Sequence, residues 1–114
     1  MAKSNVTLLR PIHWDNLRAD EAARTIRLWA ANSAKVIFSD HAWDRVDERE
    51  ITREDAFQIL MHGHCEDGPK KNEKGHWQVT MTRRMANRRE AGAVTVILRD
   101  QEALLIRTVE WMDM

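Results

Sequence analysis

The chain has 114 residues, of which 43% are hydrophobic and 32% charged, and its formal net charge is zero. A chain of this length forms one domain with a modest core, so we take residues 1–114 as a single domain. Zero net charge excludes the overall basic character of many nucleic-acid-binding proteins. The single cysteine, Cys65, excludes an internal disulfide and is typical of a reducing compartment. No apolar run suits a signal peptide or a membrane span, so we expect a cytoplasmic protein.

Charge is distributed unevenly along the chain. Residues 69–92 contain seven Lys and Arg against two Glu, a local balance of +5. Residues 40–55 contain seven acidic residues against three Arg, a balance of −4. A basic patch is therefore compatible with the absence of net charge.

The first elements in chain order are a leader and a helix. Residues 1–14 form a leader of uncertain structure, in which Val6–Leu9 could add an edge strand. Asp15 or Asp20 then opens a predicted helix to about Ser33, since apolar residues recur there at helical spacing.

Two short helices, about residues 40–49 and 53–62, are predicted next. Ser39 or Asp40 can cap the first helix through a side-chain oxygen. Thr52, followed three residues later by an Asp, gives the second helix a capping-box pattern. Gly63 is a residue that can adopt a left-handed conformation and end that helix.

The remaining sequence predicts a loop and then strands. Val36–Phe38, before the two helices, is either a buried strand or an extended connector, and residues 63–75 have the composition of a loop. Alternating or β-branched residues predict three strands: Trp77–Thr82, Ala93–Arg99 and Ala103–Trp111. Helices followed by an antiparallel meander predict an α+β domain, with the helices packed on one face of the sheet.

A row of basic side chains lies on the first of the two short helices. His41, Arg45 and Arg49 recur every four residues and therefore stack along one face. Ala42 and Val46 form an apolar stripe beside this row, which places the row at the edge of the buried surface. Such a row could receive a phosphate or a carboxylate. The alternative is a solvated face paired within the helix, and spacing alone favours it.

A second basic feature is the segment between the first two predicted strands of the meander. It contains Arg83, Arg84, Arg88 and Arg89, and Trp77 lies on the preceding strand. Arginine binds phosphate through its planar fork, and an indole ring can stack on an unpaired base. The segment is therefore either an RNA-binding surface or an ordinary solvated hairpin loop.

Histidines and the cysteine suggest a metal site at first sight. His62, His64, Cys65 and His76 carry side chains that Zn²⁺ prefers. However, the first three are too compact for a common structural site, and His76 lies beyond the predicted loop. Surface histidines and a small buried cysteine explain them more simply, so we expect no metal site and no cofactor.

The stretch from His41 to Thr52 resembles a known signature. It reads His-Ala-Trp-Asp-Arg-Val-Asp-Glu-Arg-Glu-Ile-Thr and is similar to the pattern His-Ala-x-x-Arg-x-x-x-Arg-x-Ile-Thr of a bacterial family, domain of unknown function 4258. The likeness covers residues 36–112 and includes a closing strand, Leu105–Glu110, that bears Thr108. This family has been grouped with the barnase–EndoU–colicin–RelE superfamily of small, metal-independent ribonucleases and toxins.

The resemblance implies a RelE- or MqsR-like endoribonuclease of a toxin–antitoxin system, with RNA and a cognate antitoxin protein as partners. His41 would transfer protons, since imidazole titrates near neutral pH. Arg45 and Arg49 would hold the phosphate, and Thr108 would orient a phosphate oxygen or the imidazole. The alternative is a non-enzymatic interaction module, which binds protein or nucleic acid and in which the His/Arg motif is structural.

Overall fold

The structure is a computed structural model, and it describes residues 11–113. Within these residues the helices are α1 (Ala19–Ala30), α2 (Asp40–Arg49) and α3 (Arg53–His62). The strands are β1 (Val36–Phe38), β2 (His64–Lys71), β3 (Trp77–Arg84), β4 (Glu90–Leu98) and β5 (Ala103–Trp111). They form one sheet in the order β1-β5-β4-β3-β2, in which β1 and β5 are parallel and the other neighbours antiparallel. The predicted α+β class is confirmed.

The two short helices have the predicted bounds, and their caps explain why. The Ser39 hydroxyl accepts a hydrogen bond of 3.0 Å from the Ala42 N–H at the start of α2. At the start of α3, the Thr52 hydroxyl accepts from the Asp55 N–H and the Asp55 carboxylate accepts from the Thr52 N–H, both at 3.0 Å. These local bonds satisfy N–H groups that have no partner inside a helix.

Gly63 ends α3 in a different way from the one predicted. Its φ of −84° and ψ of −169° are extended, so the predicted left-handed conformation is wrong. A Cβ at this position would overlap the carbonyl oxygens of Ile59 in α3 and Thr82 in β3. Glycine is needed here because two backbones approach closely.

Helix α1 ends earlier than predicted. It stops at Ala30, and Ser33 belongs to a separate 3-10 turn that begins after Asn32. The Asn32 side chain accepts from the Ala34 N–H at 3.0 Å, and such local bonds compete with helix propagation. Residues 11–14 of the predicted leader are integrated with the fold, since Trp14 packs against the core. The predicted strand Val6–Leu9 lies outside the described residues.

Strand β2 replaces most of the predicted loop over residues 63–75. His64–Lys71 pairs with β3 at the edge of the sheet, with register shifts on either side of Asp67. An edge strand tolerates Pro69 because one side of the strand makes no ladder hydrogen bonds. The loop prediction was wrong here because weak local strand propensity was outweighed by pairing with a distant strand.

Side chains from α1, α3 and the inner face of the sheet form one core. Its largest fully buried members include Ile26, Ile51, Leu60, Met81 and Ile106. One carboxylate, that of Glu21, lies at the margin of this core with only 2% of its side chain exposed. It accepts hydrogen bonds from His13 Nδ1 at 2.7 Å, from the His13 N–H at 3.2 Å and from the Arg18 N–H at 3.1 Å.

Acid is expected to weaken the fold through Glu21. Burial alone would raise the pKa of Glu21, but the hydrogen bonds from Arg18 and His13 lower it below its ordinary value of 4.5. A carboxyl whose pKa is lowered in the native state stabilises that state above its unfolded pKa, and the contribution disappears as pH falls through the native pKa. We therefore expect the difference in melting temperature between wild type and Glu21→Gln to shrink as pH falls from about 6 to about 3. Parallel curves would contradict this. The control is Glu73→Gln, which changes an exposed carboxylate that makes no side-chain hydrogen bond or ion pair within residues 11–113.

Candidate functional site

Helix α2, which carries the basic row, lies along the edge of β5. Strand β1 pairs with β5 only as far as Phe38 and Ile106, and the Ser39 N–H then donates to Ile106 O at 3.0 Å. Beyond that point the Ser39 hydroxyl donates to Arg107 O at 3.0 Å. At the other end of the helix, Arg49 Nη1 donates to Val109 O at 2.9 Å. The helix is thus fastened to β5 at both ends.

A bulge in β5 shapes the surface beside the start of α2. Val94 of β4 is opposite Thr108, whereas the next residue of β4, Thr95, is opposite Ile106, so Arg107 is an extra residue. Bulges change the direction of nearby side chains and are common beside functional sites. Here Arg107 and Thr108 line a cavity of about 320 Å³ together with Ser39, His41 and Val94. We call this the His41 cavity.

The polar groups of the His41 cavity are largely free to bind a ligand. His41 is exposed and makes no side-chain hydrogen bond to any residue in 11–113. The Arg107 guanidinium makes one bond, from Nη1 to Gln78 Oε1 at 2.9 Å. The Thr108 hydroxyl makes only a long contact of 3.5 Å with Val109 O. Arg107 also lines the neighbouring cavity that contains His76. Residues that carry an imidazole, a guanidinium and a hydroxyl thus line the His41 cavity, and such groups can together bind an oxyanion and exchange a proton with it.

The structure does not keep the predicted row together as one site. Arg45 forms an ion pair with Glu48, as in the solvated-face alternative. Arg49 lines a second cavity, of about 410 Å³, which we call the Arg49 cavity. At 1.5 Å per residue, His41 and Arg49 lie about 12 Å apart along the helix axis.

The Arg49 cavity is lined by two of the four arginines predicted to bind nucleic acid. Arg83 and Arg89 line it together with Trp111. Arg83 Nη1 donates to Gln58 Oε1 at 3.3 Å. Arg89 makes two 3.0 Å bonds to Asp113 and lies 4.2 Å from the centre of the Trp111 ring. Because acidic side chains also surround this cavity, it is not strongly positive.

The remaining nucleic-acid candidates lie at two ends of β3. Arg84 ends the strand and Arg88 lies in the following turn with a φ of +70°; both are exposed and have no ion-pair partner within residues 11–113. Trp77 starts the strand, about 20 Å from Arg83 at 3.3 Å per residue. Its Nε1 donates to Trp14 O at 2.8 Å. The structure therefore places Trp111, not Trp77, beside the arginines.

The histidines and the cysteine considered for zinc do not form one cluster in the described part of the chain. Cys65 Sγ lies 3.4 Å from Gly68 O, and burial raises the pKa of its thiol. His76 lines a cavity formed with the turn after β2. His64 alone has metal-binding neighbours, Glu66 and Glu90.

Three residues at these cavities were missed from the sequence. Arg107 precedes Thr108, and in a regular strand adjacent side chains point to opposite faces of the sheet. The bulge in β5 lets both residues line one cavity, and the sequence gives no sign of this bulge. Ser39 was seen only as a helix cap, although its hydroxyl also binds Arg107 O. Trp111 was seen only as part of a strand.

No helix among residues 11–113 is long and apolar enough to cross a membrane. Comparison with known proteins finds no family model, no curated protein and no solved structure that matches the chain.

Proposed function

We propose that this protein is an RNA-directed endoribonuclease of the toxin–antitoxin kind, with the His41 cavity as its active site. One observation carries the proposal. His41 at the start of α2 and the pair Arg107–Thr108 of β5 are distant in sequence, yet they line the same open cavity. The predicted catalytic residues His41 and Thr108 are thus neighbours, and Arg107 supplies a cation beside them.

The proposed chemistry needs no metal ion. The ribose 2′-hydroxyl attacks the adjacent phosphorus while a general base removes its proton, and cations stabilise the extra negative charge. The bond from phosphorus to the 5′-oxygen of the next nucleotide breaks, and this oxygen receives the proton, which leaves a 2′,3′-cyclic phosphate and a free 5′-hydroxyl. His41 moves the proton. Arg107 takes the phosphate-binding role predicted for Arg45 and Arg49, and the Thr108 hydroxyl orients a phosphate oxygen. Arg49, through its bond to Val109 O, keeps α2 against β5.

The partners follow from the same proposal. RNA approaches the His41 cavity, and a cognate antitoxin with an acidic segment covers the exposed arginines at the β3–β4 turn. A RelE-like architecture and a cytoplasmic location belong to this proposal as well, since free cellular RNA is its substrate.

Replacing His41 by glutamine is the direct test. We expect His41→Gln to lower the rate of RNA cleavage by at least about 100-fold, the lower range for loss of a general acid or base. The melting temperature should stay close to that of wild type, because His41 is exposed and makes no side-chain hydrogen bond within residues 11–113. Cleavage of a defined RNA and a thermal melt measure both quantities.

The control for this test is His62→Gln, which changes another exposed helical histidine that does not line the cavity. It should leave cleavage unchanged. No cleavage by the wild-type protein, or equal cleavage by wild type and His41→Gln, would contradict the proposal.

A second candidate function, a binding module without catalysis, is favoured by the two arginines of the motif. Arg45 is paired with Glu48, and Arg49 is bonded to the backbone of β5. The first contact occupies Arg45 on the surface of α2, and the second fastens the helix to the sheet, as this alternative requires. It predicts that the wild-type protein binds its partner but cleaves no RNA.

Substitution of arginines in the β3–β4 hairpin tests whether the protein binds RNA, whether or not it also cleaves RNA. Arg84 and Arg88 are exposed and have no ion pair within residues 11–113, whereas Arg89 is held by Asp113. Because each contact to a single-stranded phosphate contributes about 0.7 to the salt slope, replacing Arg84 and Arg88 by glutamine should lower the slope by up to about 1.4. The pair Arg83→Gln and Arg89→Gln should change it less. Fluorescence anisotropy with labelled RNA at several salt concentrations measures both slopes, and an unchanged slope in all variants would identify the hairpin as ordinary solvated surface.

A further inference from the structure

The outer face of the sheet, away from the helices, carries a cluster of metal-binding side chains. His64 and Glu66 belong to β2, and Glu90 belongs to β4, which is not a neighbour of β2. One ligand atom from each lies within 4.8 Å of the other two. His64 Nε2 and Glu66 Oε1 are 3.5 Å apart. The three side chains therefore meet across the intervening strand β3.

Two features of the backbone bring them together. His64 is opposite Thr82 of β3, and Thr82 is opposite Gly92 of β4, so these positions form one row across three strands. Glu66 is the unpaired residue at the first register shift of β2. The shift lets Glu66 accompany His64 over β3.

Thr82 of β3 lies beneath the cluster and contacts His64. Its side chain is fully buried although it belongs to the outer face. Its hydroxyl lies 3.3 Å from His64 Nε2. Thr82 and Glu66 approach the same ring nitrogen, so an ion bound at Nε2 would take the place of the Thr82 contact, and the hydroxyl could then bind a metal-bound water.

The charges of the cluster are not balanced by neighbouring cations. Neither Glu66 nor Glu90 forms an ion pair with a Lys or Arg within residues 11–113, although Arg84 is the cross-strand neighbour of Glu90. Two carboxylates and an imidazole in one place favour a bound divalent cation, which would remove the repulsion between the carboxylates.

We infer that His64, Glu66 and Glu90 form a binding site for a divalent transition-metal ion such as Zn²⁺. One imidazole nitrogen and two carboxylate oxygens suit Zn²⁺, and water would complete its coordination. Zn–N and Zn–O bonds of about 2.1 Å put two ligands of one ion up to about 4 Å apart, so small side-chain rotations close the site. The ion would link the edge strand β2 to β4. The inference does not depend on the proposed ribonuclease activity.

Titration of the metal-free full-length chain with ZnCl₂ in a calorimeter tests this site. We expect one zinc ion per chain. His64→Gln and Glu90→Gln should each weaken binding by at least about tenfold, since even the loss of an outer partner costs 10–100-fold. The control His62→Gln removes an exposed histidine outside the cluster and should bind like wild type.

A thermal melt gives a second readout that does not involve RNA. Zinc should raise the melting temperature of wild type and of His62→Gln but not that of Glu90→Gln, because a ligand that binds only the native state stabilises it. The absence of zinc binding by wild type would overturn the inference. So would an affinity that is unchanged in Glu90→Gln, or one reduced equally in His62→Gln, since either result would place the metal on other surface histidines.

Discussion

Gly63→Ala is expected to destabilise the protein by about 3 kcal/mol, the upper range for an added group in a packed interior. The new Cβ would overlap two backbone carbonyl oxygens, those of Ile59 and Thr82. Backbone atoms held in a helix and a sheet cannot move aside as the end of a flexible side chain can. Helix α3 would therefore have to shift away from β3, which disturbs the core between them. Urea denaturation followed by circular dichroism measures the change.

Gly75→Ala is the matched control. Gly75 has a φ of +82°, but nothing lies within 4 Å of a Cβ at this position. Its replacement should cost only the conformational penalty of a left-handed residue, about 1–2 kcal/mol. If Gly63→Ala costs no more than Gly75→Ala, the close approach at Gly63 does not restrict the fold.

Ile51→Ala is expected to cost about 2–5 kcal/mol, because it removes a fully buried side chain and leaves a cavity. Ile51 lies between α2 and α3 and anchors the corner that sets the direction of both helices. Ile51→Val removes one methylene group and should cost about 0.5–1.5 kcal/mol. The same urea experiment measures both variants.

The control for Ile51 is Ile37→Ala, at a position that is 44% exposed. It should cost much less than Ile51→Ala. A similar cost for the two would show that the corner tolerates a cavity. The result also concerns the two ends of the motif. Ile51 and Thr52 build the corner and cap α3, whereas His41 lines a cavity.

Helices α2 and α3 could be predicted from the sequence because their signals are local. Ser39, Thr52 and Asp55 each bond to a backbone group within three residues. Strand β2 could not be predicted because nothing in its own composition favours a strand. It forms because β3 offers an open edge, and that edge exists only after distant parts of the chain have paired.

The candidate site was predictable in part for the same reason. His41 stood out by its helical spacing, and the pairing within α2 that the solvated-face alternative predicts is found for Arg45 and Glu48. Arg107 did not stand out, since its position beside His41 depends on a bulge and on the alignment of β5 with β4. Arg49 and His41 share a helix face in sequence but face different cavities, because β5 meets the two ends of α2 differently.

The short and irregular outer strands have a consequence for self-association. Long, flat edge strands can pair with another chain and start aggregation. Strand β1, at one edge, has three residues, and the continuing edge of β5 is covered by α2 through Ser39 and Arg49. Strand β2, at the other edge, is broken by two register shifts and carries Lys70 and Lys71. Within residues 11–113, neither edge of the sheet offers a second copy of the chain a regular row of free N–H and C=O groups, which protects the sheet against growth into a fibril.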